Sequence, residues 1–366
     1  MTPRLAFLFL RCVSVSLWFN MPVEFIERIR AAEYPLRIRA GGSKDFYGQA
    51  LEGEILDVSA HRGIVSYEPG ELVLTAKCGT PLAEIEALLD AHGQMLAFEP
   101  PRFAPSSTLG GSLACGFSGP RRPYAGSARD FVLGMEILDG NGQHLKFGGQ
   151  VIKNVAGYDA SRLMVGAMGT LGVLLQASLK VLPRPQSELT LQFEMAETEA
   201  IEKMNQWAGK PLPLSASAWQ SGVLSVRLSG ANTSVMQAHA KLGGEPHLHG
   251  TEFWQHLRDH QAALFADDTP LWRVSLPASA PALDLPGKQL IHWGGAERWL
   301  KTDAPAAQIR ARAAALGGHA TLFAGSDKSA GVFHPLPAAL MKYHARLKQQ
   351  FDPRGIFNRG RLYRDF

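Results

Sequence analysis

Cysteine is scarce in this 366-residue chain: Cys12, Cys78 and Cys115 are the three present, with no C-x-x-C pair among them. That argues against a disulfide scaffold, excludes a four-cysteine iron–sulfur cluster held by this chain alone, and fits a reducing compartment. No G-x-G-x-x-G follows a strand pattern, and no G-x-x-x-x-G-K-[ST] occurs, so a Rossmann dinucleotide site and a P-loop have no support. Lysine and arginine never run five together. The formal net charge of +4 is scattered, which disfavours nucleic acid and suits an anionic ligand or an acidic partner surface. Long apolar runs are missing too. Residues 5–10 and 13–19 are apolar, but Arg11 interrupts them and no small-x-small cleavage site follows. Ordinary folded sequence starts after Met21, so residues 1–20 read as an atypical extension and Met21 as the expected true start.

What is present belongs to a folded protein, 46% hydrophobic and 19% charged, long enough for two domains. The patterning predicts a helix over 24–32 and strands over 36–39, 54–58 and 72–77. A helix follows, with Thr80 as N-cap, Pro81 in its first turn, Leu82, Ile85, Leu88 and Leu89 at helical spacing, and Gly93 as its end. Further strands are expected over 131–138 and 172–182, a tight hairpin at Asn141-Gly142, and a short helix over 163–168. Pro183-Arg184-Pro185 marks a boundary. Beyond it, strands at 189–193, 224–228 and 272–276 interleave with helices at 196–207 and 306–316, and a last helix covers 340–350.

Three glycine tracts stand apart in the first half. Gly41-Gly42-Ser43 leaves a strand, where successive N–H groups can form a concave nest for phosphate. The tract from Thr108 to Gly119 mixes glycine with small and apolar residues, as a short helix against a flat ligand would. Its N-terminus is expected to offer free N–H groups. Gly166 to Val173 leads into another strand. One such tract is an ordinary turn or close packing; three together point to backbone around a dinucleotide.

The order Arg39-Ala40-Gly41-Gly42-Ser43, Thr108-Leu109-Gly110-Gly111, Tyr124-Ala125-Gly126-Ser127, Asn154-Val155-Ala156-Gly157-Tyr158-Asp159, Gly169-Thr170-Leu171-Gly172-Val173, then Asp352-Pro353 and Asn358, resembles the vanillyl-alcohol-oxidase (PCMH) type of FAD-binding fold. His61-Arg62-Gly63-Ile64-Val65, Ser118-Gly119-Pro120-Arg121-Arg122-Pro123 and the stretch 147–169 are similar to the FAD-binding E subunits of bacterial glycolate oxidase (glycolate dehydrogenase). The resemblance implies an α+β fold: a two-lobed PCMH-type FAD-binding domain over 21–184, a smaller α+β cap over 185–339, and a C-terminal helix and tail over 340–366 that returns to the flavin. It implies a cofactor loop from Arg39, Ala40, Gly41, Gly42, Ser43, Lys44 and Asp45. A second wall would come from Thr108, Gly110, Gly111, Ala114, Ser118 and Gly119, completed by Asp130, Val132, Gly169, Thr170, Gly172, Val173 and Asn358. Ser43 stands where relatives with a tethered flavin often carry histidine, so FAD is expected to be non-covalent.

The same resemblance implies a complex with a larger flavin subunit and an iron–sulfur subunit, acting on a small 2-hydroxy acid, glycolate foremost. The chain would be cytoplasmic and would reach an inner-membrane surface only through that complex. Two departures place substrate oxidation on a sister subunit. The H-x-G-D-G-N-x-H motif of metal-using relatives is absent, and Met168 occupies the position where they usually place glutamate. No residue is therefore assigned a catalytic role. A self-sufficient FAD oxidoreductase and a flavin-free assembly scaffold stand as the alternatives. His247 with His249, and His256 with His260, have ligand-like spacing but no third ligand nearby, so no metal is expected. Arg121-Arg122-Pro123-Tyr124 reads either as an anion fork or as a solvated or partner-facing loop, and Trp293 and Trp299 as core aromatics before flavin shields.

Overall fold

The computed structural model describes residues 23–149, 160–364 and 366. The expectations at 1–21 and the 154–159 motif lie outside the described residues. Two antiparallel sheets organise the remainder. The first has five strands in the order Ile64–Glu68, Val73–Lys77, Val173–Lys180, Val132–Leu138 and His144–Gly148. Val173–Lys180 is central, and six of its eight residues are buried because both of its faces are covered. Helix Leu82–Asp90 presents Leu82, Ile85 and Leu89, and Leu109–Cys115 presents Leu109 and Leu113, to the Leu74, Ala76 and Leu179 side of this sheet.

A smaller layer holds helix Val23–Ala31, the parallel pair Leu36–Arg39 and Glu54–Asp57, and the C-terminal residues Ile356 and Phe357. The first two strands meet in parallel register, Leu36 beside Glu54 and Arg39 beside Asp57. Leu36 N–H donates to the Ile356 carbonyl at 2.7 Å and Asn358 N–H to the Leu36 carbonyl at 3.0 Å, so the tail lies along the free side of the first strand. The cleft discussed below opens where this layer meets the five-stranded lobe.

The second sheet has eight strands, ordered Glu245–Pro246, Ser187–Glu194, Val223–Gly230, Leu214–Gln220, Lys288–His292, Glu297–Lys301, Leu271–Ser275 and His319–Ala324. Helices Glu197–Ala208 and Asn232–Leu242 pack on one half of its outer face, and Ala306–Ala315 on the other. Alternation along Val223–Gly230 sends Leu224, Val226 and Leu228 to those helices. Arg227 turns the other way and meets Glu99 of the first lobe at 2.8 Å. Arg121 spans the same junction to Glu99 at 3.3 Å and Glu188 at 2.5 Å, and the Trp293 indole donates to the Gly119 carbonyl at 3.0 Å.

Three local expectations change. Pro81, not Thr80, is the N-cap of Leu82–Asp90; the Thr80 hydroxyl instead exchanges hydrogen bonds with the Gly63 backbone at 2.8 and 3.2 Å. The helix placed at 163–168 is Ala160–Leu163, and turns follow it. Strands Leu214–Gln220 and Glu297–Lys301 were not foreseen. The first is made largely of Ser and Ala, and the second carries Glu297, Arg298 and Lys301, polar in sequence but buried and paired with Arg273, backbone carbonyls and Asp267. Among the described residues no helix is long and apolar enough to cross a membrane.

Candidate functional site

The first strand ends at Arg39, and the chain turns at Gly41 against a neighbouring loop: a Cβ there would strike the Ser106 carbonyl. The Ser106 hydroxyl donates to the Gly41 carbonyl at 2.7 Å and so fixes the turn. Gly42 follows at φ +68°, a conformation that glycine adopts without cost. The N–H groups of Gly41, Gly42, Ser43 and Lys44 meet no acceptor among the described residues. Carbonyls of the same loop are all but filled: Asp45 N–H donates to the Gly42 carbonyl at 3.1 Å, and Arg361 donates to Lys44 and Asp45. Successive N–H groups left open in this way are the nest an anion occupies.

This loop borders a cleft of about 370 Å³, within the range of ligand pockets. The opposite wall is helix Leu109–Cys115, through Gly110, Gly111, Ala114 and Cys115. Its first N–H groups are not free, contrary to the sequence expectation. Leu109 donates to the Thr80 carbonyl at 2.9 Å, Gly110 to the Cys78 carbonyl at 2.7 Å, and Gly111 to the Thr108 hydroxyl at 3.2 Å. The chain enters this helix lying against the segment at Cys78 to Pro81, and that segment takes the donors first. Anion recognition by open amides therefore rests on the first loop.

The third side is Met168, Gly169 and Gly172. Asn358 ties it to the first strand: its amide oxygen accepts from Ile38 N–H at 2.8 Å, and its nitrogen donates to the Met168 carbonyl at 2.7 Å. Lys348, on helix Ala338–Phe351, supports the same segment by donating to the Thr170 carbonyl at 2.7 Å.

Charge in the cleft is one-sided. Arg37, Arg39, Lys44, Lys328 and Arg361 line it against the single carboxylate of Asp45, which binds Arg39 at 2.7 Å. The Arg37 Nε atom is buried with no hydrogen-bond partner among the described residues. Lys44 is 7% exposed; its ammonium meets the Ser43 hydroxyl at 3.4 Å and lies 5.6 Å from the Phe103 ring centre. Burial holds Lys44 below the ordinary lysine value. Burial pushes the Cys115 thiol up to about 11, against the pull of Lys44 and Arg361.

Fourteen of the twenty residues singled out in the sequence line this cleft: Arg39 to Asp45, Thr108, Gly110, Gly111, Ala114, Gly169, Gly172 and Asn358. Six do not. The Ser118 hydroxyl accepts from Ala128 N–H at 2.9 Å, and Gly119 bonds to Phe98 and Trp293. Asp130 closes a capping box with Ser127, and Val132 opens a buried strand. The Thr170 hydroxyl turns back to the Ala167 carbonyl at 2.7 Å, and Val173 is fully buried. Sequence reasoning missed Arg37, Cys115, Lys328 and Arg361. Arg37 shares strand periodicity with Arg39, a signal that was available. Lys328 and Arg361 arrive from the far end of the chain and carry no local signature.

Next to the cleft, aromatic rings close the space between the lobes. Tyr47 and Phe117 lie 4.8 Å apart, Phe117 meets Phe323 at 5.4 Å, and Trp299 meets Phe323 at 4.8 Å. His260 stacks on Phe265 at 4.2 Å, and burial pushes it down to about 3, so it is neutral near pH 7. His247 accepts from His249 N–H at 3.1 Å, and among the described residues no three His, Cys, Asp or Glu side chains converge as a metal site. Arg121 is committed to the ion pairs between the lobes, while Arg122 lies 4.4 Å from the Trp293 ring centre.

A glycine-walled, cation-lined cleft in an α+β fold suits a nucleotide cofactor, and a family described as FAD binding domain matches residues 23–148. Glycolate oxidase subunit GlcE of Escherichia coli (strain K12) is 51% identical over 93% of this chain and 96% of that relative, and the chain belongs to this GlcE family of FAD-binding glycolate oxidase subunits. Glycolate oxidase subunit GlcD of Bacillus subtilis (strain 168) is 33% identical over 38% of this chain and 30% of its own length. The fold is also that of an alkyldihydroxyacetonephosphate synthase, with a TM-score of 0.63 at 15% identity over 93% of this chain and 74% of that one.

Proposed function

We propose that the chain holds FAD non-covalently in this cleft and works as an electron-passing subunit of a glycolate-oxidising complex, beside a larger GlcD-like flavin subunit and an iron–sulfur subunit. The observation that carries the reading is the open amide run from Gly41 to Lys44, facing a cleft with five cations and one carboxylate in a GlcE-family chain. Those amides, with Arg39 and Lys44, would hold the diphosphate, and the Arg37 Nε, without a partner among the described residues, would gain an acceptor. Gly110, Gly111, Ala114, Gly169 and Gly172 present backbone and small side chains that allow close approach of a flat group. Bound FAD would supply two-electron uptake and one-electron release.

Non-covalent binding is supported by Ser43 at the loop and by the protonated, poorly nucleophilic Cys115 thiol. A substrate site on the sister subunit is supported by the packed rings at the lobe junction and by Met168 in place of an acid. The test is to purify the chain alone and with its co-expressed neighbours, then follow the visible flavin spectrum on adding glycolate. A yellow chain that glycolate bleaches only within the complex is expected. Bleaching of the chain alone makes it a self-sufficient enzyme, and a colourless chain even in the complex makes it a scaffold.

Lys44 gives the site a pH signature. In the free chain its lowered pKa means that it sheds its proton below the ordinary 10.5. A diphosphate raises that pKa again, so binding takes up a proton in the interval between the two values. FAD affinity is expected to fall as pH rises through the lowered free-chain value, and Lys44→Met to flatten the decline. Equal slopes in the two proteins would remove Lys44 from the diphosphate site.

A further inference from the structure

Directly after the run of open amides, the carbonyls of the loop are held from behind, and the holders come from elsewhere in the chain. Arg361, in the C-terminal tail, donates to the carbonyls of Lys44 at 3.0 Å, Asp45 at 3.3 Å and Gln49 at 3.2 Å. Gln49 N–H returns a bond to the Arg361 carbonyl at 3.0 Å. Lys328, in the segment after the last strand of the eight-stranded sheet, donates to the carbonyls of Phe46 and Gly48, both at 2.7 Å. Five of the six carbonyls from Lys44 to Gln49 thus accept from one of these two side chains. Those bonds fix the peptide planes from the Lys44 carbonyl onward, and so clamp the end of the loop that follows the Gly41 to Lys44 amides.

Both holders also line the cleft, and neither has an ion-pair partner among the described residues. Arg361 is 8% exposed. Lys328 is half-buried and lies close enough to the buried Arg361 for the two charges to repel, and an anion in the cleft relieves that repulsion.

We propose that Lys328 and Arg361 are positioning residues for the cofactor loop, and that through them the docking of the second sheet and of the tail is coupled to cofactor occupancy. The inference rests on the reading of the cleft as an FAD site and adds who aligns its loop. Coupling of this kind is reciprocal: a bound diphosphate would tighten the contacts of Lys328 and Arg361 as much as they tighten its binding.

The experiment uses the full chain stripped of cofactor, with FAD, ADP and riboflavin as separate probes in calorimetric titration. Each holder makes charge-assisted bonds, so Lys328→Met and Arg361→Gln are each expected to weaken FAD and ADP about 10- to 100-fold. Riboflavin, which lacks the diphosphate, should stay within about twofold. Lys328→Arg, which can fork to both carbonyls, should recover most of the affinity. Amide hydrogen exchange over 42–49 should quicken in the unliganded Met and Gln variants while the rest of the chain keeps its protection. If Arg361→Gln fails to fold, Lys328→Met carries the test. Unchanged FAD and ADP affinity in the variants overturns the positioning role while leaving the FAD site standing. So does an equal loss for riboflavin accompanied by a lowered melting temperature, which marks a general fold defect. A wild-type chain that binds neither FAD nor ADP overturns both readings.

Discussion

Gly41→Ala is expected to yield a folded chain that purifies without flavin colour and binds added FAD about 100-fold or more weakly. The cause is steric and local. The new methyl would occupy the Ser106 carbonyl, a backbone atom that cannot rotate away as a flexible side chain would. Relief requires the loop to shift, which costs about 1–3 kcal/mol and turns the Gly41 to Lys44 amides out of line with any anion in the cleft. Losing two charge-assisted N–H bonds accounts for most of the expected change. Gly70→Ala is the control, because a Cβ there meets nothing within 4 Å. FAD titration and the visible spectrum of the purified proteins check this. A fully yellow Gly41→Ala protein would mean that the loop does not hold the cofactor.

The largest loss of stability is expected from Lys348→Met. Lys348 joins the Asp352 carboxylate at 2.7 Å and also donates to the Thr170 and Phe357 carbonyls at 2.7 and 2.8 Å. Asp352 has a fully buried side chain and accepts from the N–H groups of Ile356 at 3.1 Å and Phe357 at 2.7 Å. Removing the ammonium leaves a buried carboxylate without a counter-charge and two carbonyls without a donor, a loss of about 3–5 kcal/mol. For a chain of this size that lowers the melting temperature by about 4–7 °C. Adding Asp352→Asn should restore part of the loss, since the uncompensated charge disappears while an acceptor remains. A Lys348→Met chain that melts with the wild type would show the pair to be dispensable. Because the pair anchors the tail that carries Asn358 and Arg361, the single variant should weaken FAD binding as well.

Much of the cleft was legible before any coordinates. Gly41, Gly42, Gly110, Gly111, Gly169 and Gly172 line one cleft because close backbone packing demands glycine, and that demand is written locally. The strands around them were legible for a similar reason: Val173–Lys180 keeps Val173, Leu175, Ala177 and Leu179 on one face, the alternation a strand requires. Less of the second sheet could be read. Strand Glu297–Lys301 looks polar, and only its partners on neighbouring strands make it core. The amides of Leu109 and Gly110 were misjudged because their acceptors, the Thr80 and Cys78 carbonyls, depend on how an earlier segment lies against the helix, while Gly111 is taken by the helix's own N-cap Thr108. Ser118, Gly119 and Asp130 fell outside the cleft for the same reason, their polar groups being claimed by neighbours in the fold.

The amino-acid order by itself determined the glycine turns, the absence of a four-cysteine cluster and the family, because each of these depends on residue type at short range or on motif order. Tertiary structure alone decided which amides stay open. It brought Lys328 and Arg361 across some 280 to 317 residues to grip one loop. It also packed Tyr47, Phe117, Trp299 and Phe323 into a single wall beside the cleft. A hydrogen-bond donor is free or taken according to what lies within about 3 Å of it, and sequence distance does not set that separation.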